Sequence, residues 1–284
     1  MPSGSDPTDD LGDFTIENYQ RLLRLARAAF QFADFSEIPY GSRFVLWRHD
    51  CDISLGRALR MAEIEYGEGI QSTFFVNLHS DYYNPLEISQ ARIIQKVVGL
   101  GHRLGLHFDP LYYEELHGVV GIRELEEHIE SERRILEDCF GTDLTAVSFH
   151  NPARLISDLG DEKLGGLVNC YSDRVRNQIS YVSDSNGYWR FKSLEEALRD
   201  SGEQCLQVLT HPVWWQERPM VPWHRVLRSV DGRRQATLNA YEDALSKDGR
   251  LNLGRPERPE QCSTSSVPAA ETSIPDTQSG DSGA

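Results

Sequence analysis

Residues 43–52 read RFVLWRHDCD. The run 43–49 is short and mostly apolar or aromatic, which predicts a buried strand. Asp50 and Asp52 come directly after it. Side chains alternate along an extended chain, so these two carboxylates face one side and His49 faces the other. Two like charges so close are costly unless a cation or a shared proton compensates. A divalent metal would resolve the conflict by taking one carboxylate as ligand and leaving the other free as a base.

Outward from this stretch, strands and helices alternate. The segment 15–33 reads as a helix, with Leu22, Leu23, Leu25 and Ala26 on one side and Arg21, Arg24 and Arg27 on the other. A helix over 54–66 has Ser54 as its N-cap. A strand follows at 72–77, a helix at 88–100 and a short strand at 103–107. The clearest helix is 121–140, where Ile122, Leu125, Ile129, Leu136 and Phe140 recur at helical spacing. Then come a strand at 144–149, a helix at 194–199, a strand at 205–210 and a helix at 223–245 interrupted near Gly232. The stretch 155–181 has no readable period. Such alternation predicts an α/β fold of parallel βα units, either a (β/α) barrel or an open doubly wound sheet.

In parallel α/β folds the strands' C-terminal ends build the site. Here the strand ends carry Asp50 and Asp52, then Asn77, then His107 and Asp109, then His150 and Asn151, and finally His211. Four of these ends bear His or Asp, from only nine histidines in the chain. A catalytic zinc-type site wants about three protein ligands and an open position. Asp52, His107 and either His150 or Asp109 supply them. Asp50 would then serve as base and His211 as the acid that protonates a leaving amine, the parts required for metal-assisted amide hydrolysis.

Composition narrows the class. The 284 residues are 39% hydrophobic and 26% charged, with a net charge of −15, which excludes collagen-like and wholly disordered chains. The apolar runs fall far short of the ~20 residues of a membrane span, and the acidity argues against nucleic acid as partner. Residues 1–13 lack the basic and apolar regions of a signal peptide and are expected to be disordered. The Pro/Ser/Thr/Gly-rich tail 255–284 is expected to be disordered too. Residues 14–254 remain as one domain. Seven of the fifteen net negative charges lie in the two ends, so much of the acidity concerns solubility. Five scattered cysteines without a CxxC pair read as reduced thiols of a cytoplasmic protein.

The motifs Arg48-His49-Asp50-Cys51-Asp52, STFFV at 72–76, Gly101-His102-Arg103-Leu104-Gly105-Leu106-His107, Ser148-Phe149-His150 and Leu209-Thr210-His211-Pro212 resemble the polysaccharide deacetylase family, the NodB-homology or carbohydrate esterase family 4 group. Tyr83-Asn84-Pro85, the run 181–185 and Pro212-Val213-Trp214-Trp215 are similar to its divergent subset with an RHDxD start. The resemblance spans 48–215. It implies a distorted (β/α) barrel of fewer than eight strands that removes acetyl groups from sugars with a divalent metal, zinc first, with Mn, Fe, Co or Ni as alternatives. It implies Asp50 as base, Asp52 and His107 as ligands and His211 as acid. The family's second metal-binding His falls at Leu111, which cannot ligate, so His150 is the expected replacement and Asp109 the next choice. Trp214 and Trp215 are expected to wall the acetyl pocket or stack on a sugar. Arg154 is expected to orient the catalytic Asp, with Arg48 as its rival. Asp184 and Trp189 match the fourth motif loosely. His102 and His49 are expected to be structural. The implied partner is a sugar or glycan precursor, in a pocket shaped by the loops 77–87 and 109–120; the lack of a signal peptide favours a nucleotide- or lipid-linked sugar over assembled cell wall.

Two other readings fit the same residues. His107-Phe108-Asp109 with a distant His150 or His211 is compatible with a 2-His-1-carboxylate iron oxygenase, but enzymes with that pattern sit on antiparallel barrels, which the long helices oppose. A glycan-binding homologue that lost its metal along with the missing His is the second.

Overall fold

The structure, a computed structural model, describes residues 9–118, 121–151, 160–189 and 191–254. The chain divides into two units, residues 1–237 and residues 238–284. In chain order the elements are α1 (Ile16–Ala29), β1 (Gln31–Ala33), β2 (Phe44–Cys51), α2 (Leu55–Gly67), β3 (Thr73–Val76), α3 (Ile88–Gly99), β4 (Arg103–Phe108), α4 (Pro110–His117), α5 (Ile122–Phe140) and β5 (Ala146–Phe149). They continue with β6 (Lys163–Leu164), β7 (Leu167–Asn169), α6 (Asp173–Gln178), β8 (Ser180–Ser183), α7 (Leu194–Arg199), β9 (Cys205–Thr210) and α8 (Pro222–Lys247). The second unit takes the last turns of α8 and, among the described residues, the run to 254. Among the described residues no helix is long and apolar enough to cross a membrane.

One sheet runs β6-β7-β5-β4-β3-β2-β9-β8 and pairs in parallel throughout, apart from the antiparallel β6–β7 hairpin. The sheet is curled into a half-barrel, the distorted (β/α) barrel that the resemblance implies, but with β1 it holds nine strands where fewer than eight are expected, because the short β1, β6 and β7 add to it. Parallel pairing brings the C-terminal ends of β5, β4, β3, β2, β9 and β8 to one face. Along β2 the alternation separates two environments. Phe44 and Leu46 join Phe35, Phe75, Ala146 and Cys170 in an inner core, while Val45, Trp47 and Cys51 pack under the helices. Arg48 and Asp50 continue the inner row, and His49 belongs to the outer one.

Four stretches differ from the sequence reading. Residues 31–33 leave the expected helix and form β1, which pairs with Phe44–Leu46 on the edge of β2 that β3 meets only from Arg48 onward. An unpaired ladder edge is thereby covered. Asp9–Phe14, within the segment expected to be disordered, makes a 3₁₀ turn anchored by Asn18, whose amide donates to Asp13 O at 2.8 Å. The expected loop 109–120 contains α4, which starts with an Asp109 cap and Pro110 in its first turn. Gly232 does not interrupt α8: a helical glycine costs about 1 kcal/mol but breaks nothing by itself.

Candidate active site

Asp50, Asp52, His107, His150, Asn151, Tyr171, Tyr181, Ser185, Asn186, His211 and Trp214 line one cleft of about 390 Å³ at the strands' C-terminal ends. The sequence-predicted residues at the ends of β2, β4, β5 and β9 therefore meet. Arg154 lies outside the described residues.

Asp50 is buried and held from two sides. The Arg48 guanidinium, fully buried, stands 3.6 Å from Asp50 Oδ1. Arg48 also donates from Nη2 to Tyr171 OH at 3.0 Å and lies over the Phe75 and Tyr171 rings. On the other side Ser148 Oγ donates to Asp50 Oδ1 at 3.2 Å and sits 2.7 Å from His107 Nδ1. The serine has one proton and gives it to Asp50, so the network assigns the His107 proton to Nδ1. Nε2 is then a lone pair, and it points at Asp52 Oδ1 from 2.9 Å. Among the described residues neither of these two buried atoms has a hydrogen-bond partner. Two electron-rich atoms facing each other without a proton between them fit two donors of one cation. Ligands bound at ~2.0–2.2 Å to one ion stand about 3 Å apart.

His150 stands beside this pair, its ring 5.4 Å from that of His107, but its Nδ1 is engaged by Asp109 Oδ2 at 3.2 Å. That bond raises the imidazole above its ordinary value against the opposing effect of burial. Asp109 uses its other oxygen to cap α4 through Leu111 N at 3.1 Å. It orients His150 and caps a helix, and does not share a donor set with His107. Among the described residues no three His, Cys, Asp or Glu side chains form a metal-holding group; Asp52 and His107 face each other, and His150 stands beside them, held by Asp109.

Across the cleft, His211 Nε2 lies 3.6 Å from Asp52 Oδ2. Its Nδ1 is 2.6 Å from Asp184 Oδ1, and its backbone N–H donates to the same carboxylate at 3.0 Å. Burial disfavours the protonated ring, yet Asp184, then Asp52 and Asp50, carry His211 up to about 9. Asp184 is fully buried and also accepts from Trp215 Nε1 at 2.9 Å. The two adjacent tryptophans thus separate. Trp214 lines the cleft, whereas Trp215 packs on Phe14, Tyr19 and Trp189 in the core and holds Asp184. Trp189 donates to Asp13 at 3.2 Å and stays out of the cleft lining.

Sequence reasoning assigns no role to Ser148, Tyr171, Tyr181, Asn151 or Asn186. Ser148 has a signal, since it lies on β5 two residues before His150. The tyrosines and Asn186 come from segments with no period to read. Asn151 and Asn186 are the non-glycine residues with positive φ, at 49° and 60° among the described residues, and both line the cleft. Asn tolerates that conformation better than most side chains.

The sequence matches no protein-family model and no curated protein. Solved structures similar to it include the catalytic domain of a peptidoglycan N-acetylglucosamine deacetylase from Eubacterium rectale, at 15% identity and a TM-score of 0.41 over 72% of this chain and 90% of that one. A family 4 acetyl xylan esterase from Clostridium thermocellum, in complex with a cobalt ion, matches at 14% identity and 0.39 over 73% and 92%. A chitin deacetylase from the fungal pathogen Colletotrichum lindemuthianum matches at 14% and 0.40 over 66% and 81%.

Proposed function

We propose that this cleft hydrolyses an acyl group, most readily acetyl, from an amino sugar or glycan precursor. One juxtaposition supports the reading above all: the Asp52–His107 pair, without hydrogen-bond partners among the described residues, sits between an arginine-held carboxylate, Asp50, and a carboxylate-held imidazole, His211. Asp50 accepts the proton of the water that attacks the acyl carbonyl carbon. Arg48 and Ser148 keep its oxygens aimed while it does so. His211 Nε2 then delivers its proton to the leaving nitrogen or oxygen as the acyl bond breaks, yielding the carboxylic acid and the freed amine or alcohol. Asp184 holds the imidazole by Nδ1 so that Nε2 faces the cleft. Asp52 and His107, with His150 alongside, would hold a divalent cation, zinc first. When bound, such an ion polarises a carbonyl and draws the pKa of water from ~15.7 toward ~7. Trp214 and Tyr181 give the cleft apolar faces for a ring or a methyl group.

A second reading, a glycan-binding homologue without catalysis, draws support from Leu111. It stands in the first turn of α4 where the resemblance expects a second metal-binding His, and no third donor joins Asp52 and His107 among the described residues. Metal content and acetate release separate the two readings. The protein reconstituted with zinc, cobalt or manganese is expected to hold about one equivalent and Asp52→Ala far less. Acetate release from N-acetylglucosamine oligomers and acetylated xylan is expected to fall about 10²- to 10⁴-fold in Asp50→Asn with the metal retained. Wild type and Asp52→Ala both holding under about a tenth of an equivalent would favour the binding protein.

A further inference from the structure

Behind the cleft, on the outer face of β2, lies a fully buried carboxylate that the proposed chemistry does not use. Glu65, on α2, accepts hydrogen bonds from Tyr19 OH and Ser72 Oγ and lies 2.7 Å from His49 Nε2 through Oε1. His102 Nδ1 stands 3.7 Å from Oε2. His49 passes the connection on: its Nδ1 is 2.7 Å from Thr210 Oγ1. Burial works to raise the Glu65 carboxyl, and His49 with His102 and Ser72 outweighs it and holds the group below its ordinary value. The carboxylate is therefore an acceptor, and His49 donates to it from Nε2. A Thr–His–Glu order is that of a nucleophile triad, but Thr210 has no exposure to any substrate.

The two strands that this connection joins give it a purpose. β2 and β9 pair from Phe44↔Cys205 to His49↔Thr210, and that is the last rung of their ladder. Asp50 and His211 each stand one residue beyond it. Past that rung no backbone pairing between these two strands fixes the distance between them. Burying a carboxylate carries a desolvation cost, and apolar packing of similar volume is often as stable or more so. Packing alone thus gives little reason for a charge here. A rigid crosslink at the rung carrying both strand ends is a reason.

We infer that Glu65 is a positioning residue which, through His49 and Thr210, sets the spacing between Asp50 and His211, an inference that rests on the hydrolase reading above. Thr210→Val removes the hydroxyl and keeps the shape, and Thr210→Ser returns the hydroxyl. In the full chain with ¹³C-labelled histidine, the His211 Cε1–H resonance is expected to move in Thr210→Val and in Glu65→Gln, and to return to its wild-type position in Thr210→Ser. kcat for acetate release is expected to fall about 10- to 100-fold in the first two at nearly constant KM, as sub-ångström to 1 Å misplacement of reacting groups does. The serine variant is expected to restore it. If Thr210→Val does not fold, Glu65→Gln carries the test. A His211 resonance unmoved in a folded Thr210→Val or Glu65→Gln variant overturns the inference, as does loss of thermal stability with kcat unchanged. Wild type inactive on every acylated sugar overturns the hydrolase reading instead, and the resonance still decides whether the latch sets His211.

Discussion

Gly105→Ala adds one methyl group to the middle of β4, where the neighbouring strand leaves no room for it. Gly105 pairs with Phe75 in the β3–β4 ladder. A Cβ at Gly105 would stand 2.5 Å from Phe75 Cε1, 2.6 Å from Cδ1 and 3.0 Å from Cζ. Carbon contacts prefer about 3.5–4.0 Å, so the overlap is about 1 Å. The backbone there is ordinary strand, so glycine serves the close approach of the ring and not a special dihedral. Phe75 cannot yield cheaply: it is fully buried, meets Phe35 edge-on at 5.9 Å and carries the Arg48 guanidinium 5.4 Å above its ring. Overpacking of this kind costs about 1–3 kcal/mol. A glycine-to-alanine change at a compatible backbone returns about 0.4–1 kcal/mol through the unfolded chain. The net is about 1–2 kcal/mol of destabilisation, which for a domain of this size lowers Tm by about 2–8 °C. Thermal unfolding measures it. Phe75→Leu in the same chain makes room, so Gly105→Ala is expected to cost less in that background, a favourable coupling of about 1 kcal/mol. Because the displaced ring carries Arg48, and Arg48 faces Asp50, acetate release should fall further than stability alone explains. A variant as stable as wild type, or costs that simply add, refutes the reasoning.

Two further outcomes rest on ion pairs. Hydrogen bonds from Arg233, then Ser89, carry Glu87 down to about 2 from an ordinary 4.5. A depressed folded value means the pair stabilises fully above about pH 5 and loses its effect as pH falls toward 2. Both side chains are about a third exposed, so the effect stays below about 1 kcal/mol. In urea titrations Arg233→Met is expected to trail wild type at neutral pH and to close the gap between about pH 5 and pH 2; a constant gap contradicts the assignment. Asp184→Asn keeps the shape but removes the charge that holds His211 and Trp215, so kcat is expected to fall about 10²- to 10⁴-fold with metal content unchanged. Wild-type kcat in this variant would take His211 out of the acid's role.

Much of the cleft is legible in the sequence because two periodicities act on the same residues. Parallel pairing sends every strand's C-terminal end to one face, so the residues just past each apolar run, Asp50, Asp52, His107, His150 and His211, can be gathered from the sequence alone. The two-residue alternation then places His49 opposite Asp50, and it bonds to α2 there. Period fails where elements are too short to show one. β6, β7 and β8 span two, three and four residues, and their places come from partners: Asn169 beside Val147, and Ser180–Ser183 along Leu206–Leu209. Yet these segments bring Tyr171, Tyr181 and Asp184 to the site. Residues 31–33 escape the reading for the same reason, since the open edge of β2 decides their conformation and not their own composition.

The adjacent pair Trp214 and Trp215 marks the limit of such reading. Composition gives both the same prospects, a flat apolar face and one N–H donor. The 3₁₀ turn Pro212–Trp214 after β9 breaks strand alternation, so neither the face nor the role of each ring follows from counting. Their depth is set from outside: the Asp9–Phe14 segment returns across the site's back, and Ile16 N donates to Gln216 O at 2.8 Å while Gln216 N donates to Phe14 O at 2.9 Å. That clasp drives Trp215 inward onto Phe14 and Tyr19, where its N–H reaches Asp184. A residue near the N-terminus and one near the last strand thus jointly decide which tryptophan meets a ligand and which steadies the carboxylate behind the acid.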